Sequence, residues 1–381
     1  CLVALFVSDA FLGTCGLLGA VTATLVANVL GLDRDVTRSG LLSYNGCLVA
    51  VAIGLFLGGS GGSDNGVGNR HSRTVTSALH ALVPAIGMAA ASPLVTSAIG
   101  RVTIIHFGLA PLTFPGEIVT WCFILAASQG GHVQDAAGVS FAMRGGGPVY
   151  DVAATTPAAT TVAGANLTST SVADAAAATS ATTTLNYTGT GFLAGTAAGV
   201  GQVMLASSPW SGGIMIIGIA FCSPIAALLA VLGSAVGAAT AMGLGVDAAA
   251  VHAGIHGCNP ALTALALGGY FFAPYGKKVF VLAFAACALS AVASAAAAEA
   301  FEAGLPVLTF PFTVVTWIFC LLSGSIPGVI PVAIVALSTP EEHRRRILIL
   351  KTMKVGEGRS NVVNARQWWR AASSNRNKNG R

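Results

Sequence analysis

Of 381 residues, 54% are hydrophobic and 9% charged, against roughly 25% charged in ordinary soluble domains. Uncharged stretches such as Phe192 to Leu244 exclude a soluble Ala-rich protein, which would need a polar face, so lipid is the solvent the composition fits. The net charge of +5 is uneven: from Glu341 to Arg381 eleven Lys or Arg face three Glu, leaving the rest of the chain at −3.

The chain opens at Cys1, already inside an apolar run, and no signal peptide can be read. The eight cysteines lie in apolar segments and read as small packing residues, without a disulfide framework. The first informative block, Gly40-Leu-Leu-Ser-Tyr-Asn-Gly-Cys-Leu-Val-Ala-Val-Ala-Ile-Gly54, returns 214 residues later as Gly254-Ile-His-Gly-Cys-Asn-Pro-Ala-Leu-Thr-Ala-Leu-Ala-Leu-Gly268. The same offset pairs Asp33 with Asp247 and Leu18-Gly19 with Leu232-Gly233. Asn45-Gly46 and Asn259-Pro260 interrupt the apolar runs at equivalent places, with Asn favoured as an N-cap and Pro at the first helical position. Cys47 to Leu57, at 1.5 Å per residue, reaches about 16 Å, roughly half the hydrocarbon thickness. Both copies therefore read as half-membrane helices starting near the midplane, where exposed N–H groups are tolerated only beside a cavity.

Ser60 to Thr76 reads as a loop that lengthens the first half. Leu112-Thr-Phe-Pro-Gly-Glu-Ile-Val-Thr-Trp121 then matches Leu308-Thr-Phe-Pro-Phe-Thr-Val-Val-Thr-Trp317 at seven of ten positions, 196 residues apart. Two copies predict an all-α polytopic membrane protein with two structural repeats, each of about five transmembrane helices plus a half-membrane helix. Gly199-Val-Gly-Gln202 and the following Ser208-Pro209 open the second copy, and their partners would precede Cys1, so the first copy is expected to lack its opening helix.

The expected organisation is a first transmembrane repeat over 1–127, an extracellular polar loop over 128–191, a second repeat over 192–340 and a basic cytoplasmic tail over 341–381. The loop carries the sequons at Asn166 and Asn186, candidate glycosylation sites, and is poor in Lys and Arg. With that loop outside and the tail inside by the positive-inside rule, the second half crosses an odd number of times and the repeats are inverted. Trp368 and Trp369, beside Arg366 and Arg370, are candidates for touching the membrane surface. A nucleic-acid role for the tail is not supported.

His252 and His256 stand four apart, but no further ligand completes a metal set at recognisable spacing, and no cofactor is implied. No nucleophile beside a base can be read and no paired-Asp motif lies within a span, which argues against a membrane-embedded enzyme. Glu117, Glu299 and Glu302 are the acids in or near the membrane.

Asn259-Pro260-Ala261 spells the aquaporin signature, but Asn45-Gly46-Cys47 does not repeat it. The half-helix block with Tyr44-Asn45, Gly199-Val-Gly-Gln202 with Ser208-Pro-Trp-Ser-Gly-Gly213, and Leu305-Pro-Val-Leu-Thr-Phe-Pro-Phe312 together resemble the urea transporter family. The resemblance runs from about Cys1 to about Arg346, and the first-half signature departs from the family pattern at Ala110 and Gly116. It implies passive, channel-like urea transport by a homotrimer in the plasma membrane, each subunit holding a single-file pore between its repeats. Gln202, Thr113 and Thr309 would supply side-chain oxygens. Leu48 and Leu262 would be apolar filter walls, and the helix starts at Asn45 and Asn259 would supply dipoles. The alternatives are an aquaglyceroporin-like channel for water, ammonia or other small neutral solutes and, in a different class, the membrane-embedded enzyme.

Overall fold

The computed structural model describes residues 1–58, 75–129, 187–301 and 305–356. The sequons at Asn166 and Asn186, Glu302, the Trp368-Trp369 pair and most of the Ser60 to Thr76 loop lie outside them. Among the described residues every regular element is helical, and Phe272 and Pro331 form an isolated β-bridge.

The first half runs α1 (Leu2–Ser8), α2 (Ala10–Val29), α3 (Arg34–Arg38), α4 (Leu41–Gly58), α5 (Val75–Val102, continued by a π turn over Thr103–Phe107) and α6 (Phe114–Gln129). The second half runs α7 (Gly189–Gly201), α8 (Pro209–Cys222), α9 (Pro224–Gly243), α10 (Ala248–His252), α11 (Cys258–Leu265), α12 (Lys277–Ala300) and α13 (Phe310–Leu322), followed by α14 (Pro340–Gly356). The 214-residue offset maps α2 onto α9 and α3 onto α10 residue for residue. Asp33 and Asp247 cap their short helices in the same way, each accepting the amide two residues on, at 2.8 and 3.0 Å. Gly40 and Gly254 both turn left-handed ahead of the next helix, at φ 79° and 76°.

Ala10–Val29, Ala78–Phe107, Pro224–Gly243 and Lys277–Ala300 are long and apolar enough to cross a bilayer. Leu41–Leu57, Phe114–Ala127 and Phe310–Leu322 are shorter apolar helices, and Gly189–Met204 with Pro209–Cys222 makes a pair bent by 73°. Large apolar side chains such as Val21, Leu25, Val83, Phe221 and Val281 are exposed, as lipid-facing surface requires. The protein is an all-α integral membrane protein.

The half-helix reading needs two corrections. In the first copy the helix begins at Leu41, not Asn45, and its 18 residues carry Asn45-Gly46 without a break. Asn45 donates to the Leu41 carbonyl one turn back, at 3.4 Å, and a helical Gly costs only about 1 kcal/mol, so neither residue forces an end. At 1.5 Å per residue α4 is about 27 Å long, well beyond the eleven-residue reach. In the second copy a 3-10 turn over Ile255–Gly257 leads into α11, and Asn259 is the second helical residue, not the N-cap. Pro260 has no amide to donate and suits this first turn, while the Asn259 side chain points away to another segment.

Small residues set the helix contacts. Gly19 of α2 lies against Gly46 and Ala50 of α4; Gly233 of α9 lies against their equivalents Pro260 and Ala264 of α11. Ala23 faces Gly46 in one copy, and Gly237 faces Pro260 in the other. Bulk has moved from one helix to its neighbour while the pair kept its spacing.

The start of the basic segment is an ordered helix tied to the second repeat. Glu341 accepts the Ser223 hydroxyl at 2.7 Å and the Ile225 amide at 2.9 Å, capping α9. Burial opposes its charge, but these donors prevail and hold the carboxyl below the usual carboxylate range. His343 accepts the Ser338 amide through Nε2, so its Nδ1 proton goes to the Gly269 carbonyl at 2.9 Å. Burial holds its pKa below the usual histidine value.

Candidate functional site

The two signature turns come together where the repeats meet. Leu112 and Leu308 are pseudo-equivalent, and both take left-handed backbone, φ 53° and 49°, a conformation costing about 1–3 kcal/mol for a side chain of this kind. Each precedes its threonine, and each turn opens a helix, α6 or α13.

Asparagines clasp these turns. Asn259 donates to the Leu308 carbonyl and accepts the Phe312 amide, both at 3.1 Å. Asn45 donates to the equivalent Leu112 carbonyl at 3.4 Å, while its Oδ1 has no partner among the described residues. Both asparagines are buried, and each links its helix, α4 or α11, to the turn of the same repeat.

Tryptophans tie the repeats to each other. Trp121 donates to the Pro306 carbonyl and Trp317 to the Ala110 carbonyl, each at 2.8 Å. Phe114 packs edge-on to Trp317, and Phe310 packs edge-on to Trp121. Every one of these contacts is repeated with the roles exchanged, which is the signature of a two-fold relation between the copies.

Between the turns the Thr113 and Thr309 hydroxyl oxygens are 2.7 Å apart. Thr309 is also 2.6 Å from Glu117 Oε1 and Thr113 3.1 Å from the same oxygen, so the two hydroxyl hydrogens serve three contacts, and Thr313 lies 3.2 Å from Thr113. Glu117 Oε2 is buried without a partner among the described residues. Three hydroxyls and one carboxyl thus make a polar cluster inside an apolar protein.

The other predicted residues sit nearby but apart from this cluster. Leu48 and Leu262, one from each repeat, pack on a single apolar core containing Cys47, Val51, Val203, Met204, Cys258 and Ala261. Gln202 opens the short turn after α7, half-buried, with its amide 3.5 Å from the Ala253 carbonyl. Leu205, three residues on, is the third left-handed leucine, φ 58°. Thr113, Thr309, Asn45 and Asn259 are therefore brought together, Leu48 and Leu262 share a separate apolar wall, and Gln202 bonds to neither group. The sequence singles out Glu117 as a membrane acid without joining it to the threonines. Its place four residues after Thr113, one helical turn, is the signal that connects them.

A two-fold pair of membrane repeats with broken or shortened helices and a buried polar cluster at their junction defines a pseudo-symmetric membrane transporter or channel. The family profile described as urea transporter matches residues 1–324. Urea transporter 1 of sheep (Ovis aries) is 27% identical over 344 residues, covering 90% of this chain and 76% of the relative. The mouse (Mus musculus) protein of that name is 25% identical over the same length. The chain belongs to the urea transporter family.

Proposed function

We propose that the protein conducts urea passively, in single file, through a pore between its two repeats, which are inverted in the bilayer. The observation that carries this reading is the Thr113–Thr309 pair: two hydroxyl oxygens, one from each repeat, 2.7 Å apart at the two-fold junction and held by clasped turns. Urea is flat and neutral, with four N–H donors and one carbonyl. Stripping its water without replacement would cost several kcal/mol. Oxygens of Thr113, Thr309 and Gln202 accept its N–H groups, and the apolar side chains of Leu48 and Leu262 cover its faces. No fixed ion is moved, so flux follows the urea gradient alone. The relatives' name, urea transporter, supports this solute. The subunit works as a homotrimer in the plasma membrane, with the tail on the cytoplasmic side.

Purified protein in liposomes tests the reading by stopped-flow light scattering. Urea entry should accelerate over protein-free vesicles and be insensitive to ion gradients. Faster water or glycerol entry with unchanged urea entry would instead identify a channel of the aquaglyceroporin type.

A further inference from the structure

Glu117 breaks the symmetry of the junction: its equivalent, 196 residues on, is Thr313. Among the described residues the carboxyl has no ion-pair partner. Its Oε1 lies within hydrogen-bond reach of the Thr309 hydroxyl at 2.6 Å and the Thr113 hydroxyl at 3.1 Å, while Oε2 is buried and unpartnered among the described residues. The Thr113 and Thr309 oxygens are themselves 2.7 Å apart, so a hydrogen also lies on that contact. Each threonine has a single hydrogen to give. With one on that contact and the other on Oε1, the threonine oxygens keep only lone pairs for anything else that approaches.

We propose that Glu117 is a positioning residue for solute selection: by holding on Oε1 the one hydrogen that the Thr113–Thr309 contact leaves over, it makes the pair of hydroxyls acceptors only, so the path favours solutes rich in N–H donors. The inference rests on the urea-pore reading and adds the group that sets the polarity of its oxygens. Without Glu117 one hydroxyl of the pair is free to rotate and donate to a solute carbonyl, which urea and acetamide offer equally. With it, urea gains from N–H groups on both sides of its carbonyl, whereas acetamide presents a methyl on one side.

The test compares urea and acetamide permeabilities in liposomes holding the full-length protein, as a ratio. Glu117→Thr installs the residue that the other repeat already carries at this place, and should lower the urea-to-acetamide ratio about threefold to tenfold, the worth of roughly one neutral hydrogen bond. Glu117→Gln keeps an acceptor oxygen and should hold the ratio within about twofold of the unaltered protein, by the same energy scale. A role in packing alone would slow both solutes together and leave the ratio unchanged in Glu117→Thr, which overturns the proposal. So does a collapse of the ratio in Glu117→Gln, which retains the acceptor and can be read even if Glu117→Thr fails to reach the membrane. Absence of urea flux in the unaltered protein overturns the pore reading and this inference with it; intact urea flux with an unmoved ratio overturns this inference alone.

Discussion

In the second repeat Asn259 grips its signature turn twice, at the Leu308 carbonyl and the Phe312 amide, both 3.1 Å. In the first repeat Asn45 reaches the Leu112 carbonyl at 3.4 Å and leaves Oδ1 without a donor among the described residues. The position equivalent to Phe312 is Gly116, and a Cβ built there would lie 3.1 Å from Asn45 Oδ1. The left-handed leucine and the helix start two residues later recur in both copies. The turn geometry therefore does not depend on the second grip, and what the copies share is the clasp on the leucine carbonyl and the tryptophan ties between them. Their differences gather on the side chains that face the junction: Gly116 against Phe312, Glu117 against Thr313.

Removing the clasps is the strongest way to break this comparison. Asn259→Ala strips a partner from both the Leu308 carbonyl and the Phe312 amide, at about 1–3 kcal/mol for each buried group left bare. Asn45→Ala removes longer contacts and relieves an orphaned oxygen, so its cost should stay at about 0.5–1.5 kcal/mol. Unfolding of each variant in detergent reads the two values. Equal losses would show that the second grip at Phe312 contributes nothing.

The exchange of bulk between helices is next in size. Gly237→Ala puts a methyl on α9 2.6 Å from the Pro260 ring and closer still to the His256 carbonyl, so it should destabilise by about 1–3 kcal/mol. The first repeat already carries Ala23 at that place because Gly46 faces it. Ala23→Gly should cost no more than about 1 kcal/mol, the helix penalty of glycine. Thermal unfolding midpoints, compared between the two variants, check the order.

Much of this organisation was legible from the residues themselves. The 214- and 196-residue offsets located equivalent helices and equivalent turns, because repeated packing demands repeated Gly and Asp at caps and contacts. The position of the half-helix start was not legible. Asn and Gly at 45–46 look like a break in a string of letters, but the Asn45 amide nitrogen donates to its own helix and to Leu112, and the helix runs through. The signature marks the threonines, and Glu117 stands one turn after Thr113, but its contact with Thr309, across 192 residues, has no local trace. The Gln202 position is likewise a matter of tertiary placement, at the bend after α7, away from the threonines.

Flux gives a sharper view of the junction itself. Thr309→Val and Thr113→Val each remove a neutral hydrogen-bonding oxygen worth about 0.5–1.5 kcal/mol, so each should slow urea permeation roughly threefold to tenfold. Valine keeps the shape of threonine, and surface expression provides the normalisation. Because the oxygens are partners at 2.7 Å, the double variant should lose less than the product of the single losses. Unchanged flux in both single variants would remove the threonines from the path.

The smallest expected effect concerns the ties between repeats. Trp121 and Trp317 make equivalent 2.8 Å bonds to Pro306 and Ala110, and each ring meets an equivalent phenylalanine edge-on. Phenylalanine in place of either keeps an aromatic ring but loses the indole donor, for about 0.5–1.5 kcal/mol. If the two-fold relation governs stability as it governs geometry, Trp121→Phe and Trp317→Phe should cost the same to within about 0.5 kcal/mol, the usual margin for independent sites. Trp121 also packs on Phe301, a contact for which Trp317 has no equivalent partner among the described residues, and that ring-to-ring packing is retained by phenylalanine. The indole bond is thus isolated from the extra packing on one side. Unfolding in detergent of the two single variants decides the matter: a difference well beyond that margin would mean that one tryptophan anchors the junction and that the other only repeats its geometry.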